Sequence, residues 1–307
     1  MRLVRAGEIA RRGLLCWVTV LGSCLTAAPV LAVERPALAE TVVVGTFNVR
    51  NYLENNRWHA GQFRFEHPKP EAEKRAVREA IKAADPDVLF LQEMGSPAHL
   101  EELRRDLEAE GCRYPFSHFA VSADARSGLG MLSRLAPAHA VLLEPRDSTG
   151  QVRMRRGIHE VVIPFGTTRL RALHVHLKSR YTDDAGDPDS RAARGREINA
   201  LVEAARHCRS LYPEDEALLV GDFNTPFEDP LMQPLWAAFA PVEVADRTGA
   251  AWTYHHFKSD LREKIDGFWK SRGGRAGVRF ESDSLWPEQA AESGSDHRLV
   301  TIRIVRE

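Results

Sequence analysis

Ala217-Leu218-Leu219-Val220-Gly221-Asp222-Phe223-Asn224 is the stretch on which the fold and the chemistry turn. Four apolar residues form a short strand that runs straight into Gly-Asp-x-Asn. In a layered α/β architecture, polar groups at the carboxyl end of a buried strand face a common cleft. Asp222 and Asn224 are two residues apart, so an extended segment points both side chains to one side. A plain Asp-Asn turn closing the strand is the alternative, and a tight Gly-Asp-x-Asn turn satisfies both readings.

Working outward, the same arrangement recurs. Residues 41–48, Thr-Val-Val-Val-Gly-Thr-Phe-Asn, read as a buried strand ending on Asn48, and residues 88–91 as a second one running into Gln92-Glu93. Residues 71–84 have helical spacing, with Ala72, Ala76, Val77, Ala80 and Ile81 on one face, and stop at Asp85-Pro86. Residues 98–110 are a second helix, with Leu100, Leu103 and Leu107 as its stripe and Gly111 as its stop. Between these elements, residues 50–70 read as a long polar loop.

The middle of the chain is strand-rich, at 128–133, 138–143, 158–164 and 168–177, followed by the longest helix at 190–211. Strands at 264–269, 278–281 and 299–305 close the sequence. Consecutive strands without intervening helices predict antiparallel pairing with helices outside. No internal repeat or low-complexity linker is visible, so residues 40–307 are expected to form one domain.

Composition bounds the rest. The chain has 307 residues, with 42 Lys plus Arg against 43 Asp plus Glu and four Cys. That excludes a histone-like nucleic-acid coat, and Cys16, Cys24, Cys112 and Cys208 are too few and too scattered for a disulfide scaffold or a zinc ribbon. The neutral total hides a boundary. Arg2, Arg5, Arg11 and Arg12 precede an uncharged run at 13–33, the layout of an export signal. Cleavage is expected after Ala39. Val20-Leu21-Gly22-Ser23-Cys24 also fits a lipoprotein box that would acylate Cys24, and an uncleaved anchor is the third reading. All three place the rest of the chain outside the cytoplasm. Removing residues 1–39 takes out five basic and two acidic residues and leaves 37 against 41, net −4. Cys112 and Cys208 then remain, either paired or as separate buried thiols.

The ordered set Thr46-Phe47-Asn48, Leu91-Gln92-Glu93, His174-Val175-His176-Leu177-Lys178-Ser179, Gly221 to Asn224, Lys264-Ile265-Asp266-Gly267 and Ser295-Asp296-His297 resembles the endonuclease/exonuclease/phosphatase superfamily. The resemblance spans essentially the whole chain after the leader. It implies an α/β fold of the α+β type, a four-layer sandwich of two mostly antiparallel sheets packed face to face with helices outside. It further implies an exported, metal-dependent phosphodiester hydrolase, first of all a nuclease. The alternatives are a phosphatase or phosphodiesterase acting on small phosphoesters or lipid head groups, and a catalytically dead binding module.

The residue types suit that chemistry. A phosphodiester is already anionic, and Mg²⁺ neutralises charge developing at phosphorus using a few oxygen ligands. By resemblance Glu93 is the metal carboxylate, with Asn48 and Asp296 beside it; Mn²⁺ is a substitute, and the acidic run at 183–189 lacks EF-hand spacing for Ca²⁺. Asp222 orients or deprotonates water, Asn224 donates to a phosphoryl oxygen, and Asp266 with His297 forms a carboxylate–imidazole dyad. His176 is a general acid or phosphate contact. Strand periodicity puts His174, His176 and Lys178 on one face, although a core role for His174 is equally open.

Cations interleaved with aromatics at Arg57-Trp58-His59 and Phe63-Arg64-Phe65 suit phosphate contact and base stacking, so Lys178, Arg57 and Trp58 are candidate substrate contacts. Residues 153–156 read as a solvated hairpin tip and Ser190 as a helix cap. No aromatic-rich apolar hairpin of the kind that enters a bilayer is evident. Nucleic acid or another phosphodiester is the expected partner. No stable protein partner is expected, and membrane contact is expected only through the N-terminal segment.

Overall fold

Period-two alternation sorts the strands' side chains between two environments, and the layers follow from it. In the computed structural model, which describes residues 40–306 apart from 124, 274–276 and 287–293, strand β1 (Thr41–Tyr52) sends Val42 and Val44 to one side and Phe47 and Val49 to the other. The export segment, the Cys24 lipid box and the anchor reading lie outside the described residues. No helix among the described residues is long and apolar enough to cross a membrane.

One six-stranded sheet has the order β15 (Val278–Trp286), β16 (Leu299–Arg306), β1, β4 (Val88–Met94), β6 (Gly128–Ser133) and β5 (Phe116–Ala120). The other has the order β11 (Phe239–Pro241), β14 (Asp266–Ser271), β10 (Asp215–Asp222), β9 (Thr168–His176), β8 (Ile158–Phe165) and β7 (His139–Leu143). Among the described residues each sheet contains a single parallel pair, β1 with β4 and β10 with β9, and its other pairings are antiparallel. The architecture therefore repeats, although the sequence shows no repeat.

Three apolar layers hold the sheets. Val44, Phe90 and Met131 from the first sheet meet Ala172, Val220 and Phe268 from the second. On the outer face of the first sheet, Leu89, Leu91 and Leu132 pack with Val77 and Ile81 of α1 (Glu71–Ala84) and Leu100 and Leu103 of α2 (Pro97–Ala109). On the outer face of the second, Leu173, Val175 and Leu219 pack with Ile198, Leu201 and Ala205 of α3 (Arg191–Leu211). This is the four-layer sandwich. Cys112 and Cys208 are separate buried thiols in different outer layers.

Two local expectations are corrected. Residues 50–70 are not merely loop: β2 (Asn55–His59) and β3 (Gln62–His67) form a hairpin. Its turn, Ala60-Gly61, takes positive φ at both residues, the geometry that matches strand twist in a two-residue hairpin. The cap of α3 is also different. Ser190 has φ +48° and no side-chain cap bond, while the Asp187 carboxylate accepts from the amides of Ala192 (3.0 Å) and Ala193 (2.9 Å). A second small hairpin, β12 (Tyr254–His256) with β13 (Leu261–Glu263), lies just ahead of β14.

Candidate active site

The inter-sheet layer is apolar along most of its length and polar at one end. The row Val42, Val44 on β1 continues to Thr46 and Asn48; Val88, Phe90 on β4 continues to Gln92; Leu218, Val220 on β10 continues to Asp222. Register sets the second sheet's contribution side by side, because Asp222 pairs with His176 on β9 and with Asp266 on β14. The candidate site is thus the open end of the core.

Gly221 makes that register attainable. Its φ is +136°, and a Cβ there would stand 2.0 Å from the Val175 carbonyl oxygen, so only glycine lets β10 lie against β9 just before Asp222. The first sheet uses irregularity instead. Both β1–β4 and β4–β6 shift register at this level, and Arg50, Asn51 and Glu93 all have positive φ. Such bulges re-aim side chains and concentrate at functional sites. Here they bring the Glu93 carboxylate to Asn48, with the Asn51 amide donating to Oε2 at 2.7 Å.

Asn48 ties the two sheets together. Its Nδ2 donates to Glu93 Oε1 (3.2 Å) and Asp222 Oδ2 (3.0 Å), and its Oδ1 accepts from the Arg50 amide (3.0 Å). The amide oxygen expected at a metal therefore faces the backbone. Asn48 separates the two carboxylates by presenting protons to both. Its carbonyl accepts from Ser295 Oγ at 2.7 Å, and Ser295 Oγ accepts from the His297 amide at 3.1 Å, which locks the terminal Ser-Asp-His onto β1.

Across the layer, His297 Nδ1 meets Asp266 Oδ2 at 2.9 Å, and Thr253 Oγ1 donates to the same oxygen at 2.8 Å. Thr253 carried no motif, and nothing local to Trp252-Thr253-Tyr254 would have revealed it. Burial would lower the imidazole's pKa, but Asp266, with Asp222 and Asp296, outweighs that and raises His297 to about 10. For Asp222, burial and then the neighbouring Asp266 raise the carboxyl to about 7, against the lowering pull of His297 and the Asn224 and Asn48 bonds. His176 Nε2 lies 3.4 Å from Asp222 Oδ2 and 4.0 Å from Glu93 Oε1. Burial, then Arg156, His297 and His174, hold it well below its ordinary value, so it is a neutral imidazole.

Asn224 takes a different place from the one expected. With φ +49° its side chain turns back, so Nδ2 donates to Leu177 O (2.9 Å) and lies 3.3 Å from Asp222 Oδ2, while its amide donates to Asp222 Oδ1 (2.8 Å). It fixes the Asp222 turn to the end of β9. His174 belongs to the core: fully buried, with Nε2 2.7 Å from the Gln92 amide and Nδ1 3.4 Å from His159 Nδ1.

The cations are redistributed as well. Arg57 spends its guanidinium on the carbonyls of Asn51 (3.1 Å) and Leu53 (2.9 Å), turning into its own loop. Trp58 is 73% exposed on the hairpin. Lys178 lies at the cleft, its ammonium donating to the carbonyls of Ser179 and Tyr181. Residues 153–156 are more than a solvated tip. Arg155 and Arg156 line a cavity of about 470 Å³ together with Glu93, Arg126 and Lys178, and Arg156 donates to the carbonyls of His176 (3.4 Å) and Leu177 (3.2 Å). Folding of that loop against the end of β9 decides this, and sequence spacing does not encode it.

Two donor sets present themselves for a metal. Asp222, Asp266 and His297 offer atoms within 4.8 Å of one another. In that group the His297 imidazole is already paired with Asp266, which leaves the group less of its charge for a cation. Glu93 and Asp296 instead have partly exposed carboxylates, 23% and 24% accessible, that offer hard oxygens, and Glu93 lines a cavity. Arg50 Nε lies 3.7 Å from Asp296.

The family model for the endonuclease/exonuclease/phosphatase family matches residues 45–297. The chain belongs to that family. Comparison with curated proteins gives no match. Among solved structures, this family member is similar to sphingomyelinase C from Streptomyces griseocarneus, with 18% identity over 88% of this chain and 100% of that one and a TM-score of 0.59. Truncated TDP2 from Caenorhabditis elegans is similar at 16% identity over 86% and 97% of the chains, TM-score 0.55. A functionally unknown conserved protein from Enterococcus faecalis is similar at 17% over 86% and 100%, TM-score 0.60. At these identities the likeness is one of fold.

Proposed function

We propose that this family member is an exported Mg²⁺-dependent phosphodiester hydrolase whose substrate is a nucleic acid. One observation carries the reading: Asp222, Asp266 and His297 converge at the open end of the inter-sheet layer, with Glu93 and Asn48 opposite them. Mg²⁺ held by Glu93 and Asp296 would supply Lewis-acid neutralisation of charge developing on the phosphoryl group. Mn²⁺ is the expected substitute.

The chain's own residues supply the rest. Asp222, with its pKa raised to about 7, accepts a proton from water. The water oxygen bonds to phosphorus as the ester oxygen leaves and takes a proton from solvent. His297 stays charged and donates from Nε2 to a phosphoryl oxygen, its orientation fixed by Asp266. His176 is neutral, which suits a hydrogen-bonding contact more than a general acid.

A lipid head-group phosphodiester is the second reading. The exposed Trp58, Phe63 and Phe65 on the β2–β3 hairpin favour it, although that hairpin interleaves them with Arg57, His59, Arg64 and Glu66 and is not an apolar one. The test is to incubate the purified protein with plasmid DNA, RNA, sphingomyelin and bis(p-nitrophenyl) phosphate in Mg²⁺ or EDTA. Cleavage is expected to need the metal and to fall at least about a hundredfold in Glu93→Ala and His297→Ala. If no phosphoester is cleaved, or if both variants keep the full rate, the hydrolase reading is wrong.

A further inference from the structure

The β2–β3 hairpin has no packing role for its largest side chains. Trp58 is 73% exposed and Phe65 76%, yet the rings form a continuous row: Trp58 meets Phe63 edge-on at 5.9 Å, and Phe63 meets Phe65 at 5.2 Å. Three exposed rings in edge-to-face contact make a continuous apolar ridge of the kind that binds something. The hairpin is also anchored at its base. Arg57 clamps the carbonyls of Asn51 and Leu53, and Asn55 Oδ1 accepts from Arg126 at 2.8 Å. Asn51 and Arg126 both line the cavity that contains Glu93. The base of the hairpin that carries the aromatic row therefore borders the reacting centre.

Next to that centre runs an elongated surface rich in cations, with Asp147 and Glu197 among them. The Glu93 cavity shares Arg155 and Lys178 with a second one, also about 470 Å³, that runs on to Arg153 and Arg196. One phosphodiester needs one anion seat. Two cavities joined through shared cations suit several phosphates in a row, which a single lipid head group does not have.

We propose that the hairpin is a stacking platform for unpaired bases of a nucleic-acid strand whose phosphates run along the Arg126–Arg155–Arg196 groove, a refinement that rests on the hydrolase reading above. Aromatic rings stack any base with little sequence preference, while the groove's cations track the backbone. A substrate gripped in this way is single-stranded, or opened, on the hairpin side of the scissile phosphate. The net −4 charge of residues 40–307 is compatible with this, because the cations are concentrated along the strand's path.

The test is made in EDTA, where binding is read without cleavage. Fluorescence anisotropy compares a labelled twelve-residue oligothymidylate with an abasic strand of equal length, and sedimentation measures binding to sphingomyelin–phosphatidylcholine vesicles. Trp58→Ala and Phe65→Ala are each expected to weaken oligothymidylate binding by about fivefold or more and to leave abasic-strand affinity as it was. Arg196→Ala should weaken both strands and flatten their salt dependence. The platform is overturned if the aromatic variants bind oligothymidylate as tightly as the parent, or lose the abasic strand equally. It is also overturned if they lose only vesicle binding, which would make the hairpin a membrane device. The two proposals fail separately. Hairpin-dependent binding without Mg²⁺-dependent cleavage would refute the hydrolase, whereas cleavage indifferent to the hairpin would refute the platform.

Discussion

His297 and His174 are buried against the same inter-sheet layer, one beside Asp266 and the other beside Gln92 and His159. Burial penalises the charged imidazole in both. His297 is nevertheless raised to about 10, whereas His174 falls well below its ordinary value and His159, through burial and then His118, falls to about 3. A carboxylate decides the difference. At 3 Å and an effective dielectric near 20, one carboxylate is worth about 5 kcal/mol to an imidazolium. That matches a desolvation penalty of several pKa units, and Asp222 and Asp296 add to it. One end of a single core layer thus carries charge for chemistry, while the adjoining stretch is a neutral hydrogen-bonded row from His118 through His159 and His174 to Gln92.

The most damaging way to break the contrast is to make His297 resemble His174. Asp266→Asn removes the nearest carboxylate but keeps the Thr253 hydrogen bond's shape. His297 should become neutral near pH 7, and kcat should drop by about 10²–10⁴, the range for loss of a positioned proton-handling group. Steady-state hydrolysis of bis(p-nitrophenyl) phosphate reads the rate, and NMR titration of the His297 ring reads its charge. A rate within twofold of the parent would mean that the imidazolium has no part in the reaction.

The same contrast predicts opposite pH limbs of stability. His297 binds its proton more tightly folded than unfolded, so its contribution is full below about pH 6.5 and is lost as pH rises through about 10. His159 is the reverse: its contribution is full above about 6.5 and is lost as pH falls toward 3. At pH 5 that loss is about 2 kcal/mol for a single buried imidazole. Urea unfolding between pH 6.5 and pH 4, where the His297 contribution is already nearly full, should therefore show an acid loss that His159→Gln flattens. An equally steep loss in His159→Gln would place the acid sensitivity elsewhere.

Why the sequence disclosed one end of this layer more readily than the other is a matter of what periodicity encodes. Asn48, Glu93 and Asp222 close apolar runs while Asp266 and His297 stand just ahead of them, so a strand reading puts them at strand ends and the motif spacing does the rest. The β2–β3 hairpin follows no such rule, because both its faces are solvated and Trp58, Phe63 and Phe65 alternate against no buried surface. The α3 cap went to Asp187 and not Ser190 because the backbone enters at φ +48°, a torsion that residue type alone does not fix. Arg156 and Thr253 owe their positions to loops that return from elsewhere in the chain. His174 could be read as core or cleft, and Gln92 and His159, far apart in sequence, placed it in the core.

The smallest expected effect sharpens where the neutral row ends. His118 is half-buried on the sheet-edge strand β5, stacked on His159 with ring centroids 4.9 Å apart and Nδ1 2.9 Å from His159 Nε2. Its own pKa is lowered by burial and then by His139, but water still reaches it, so desolvation costs it less than His159. His118→Gln should keep a partner for His159 and change stability at pH 7 by under about 1 kcal/mol, as one modest hydrogen bond exchanged for another. It should also move the acid limb less than His159→Gln does. If the His118 variant shifts that limb by as much, protonation enters the row from its exposed end, and the buried imidazoles titrate as one unit.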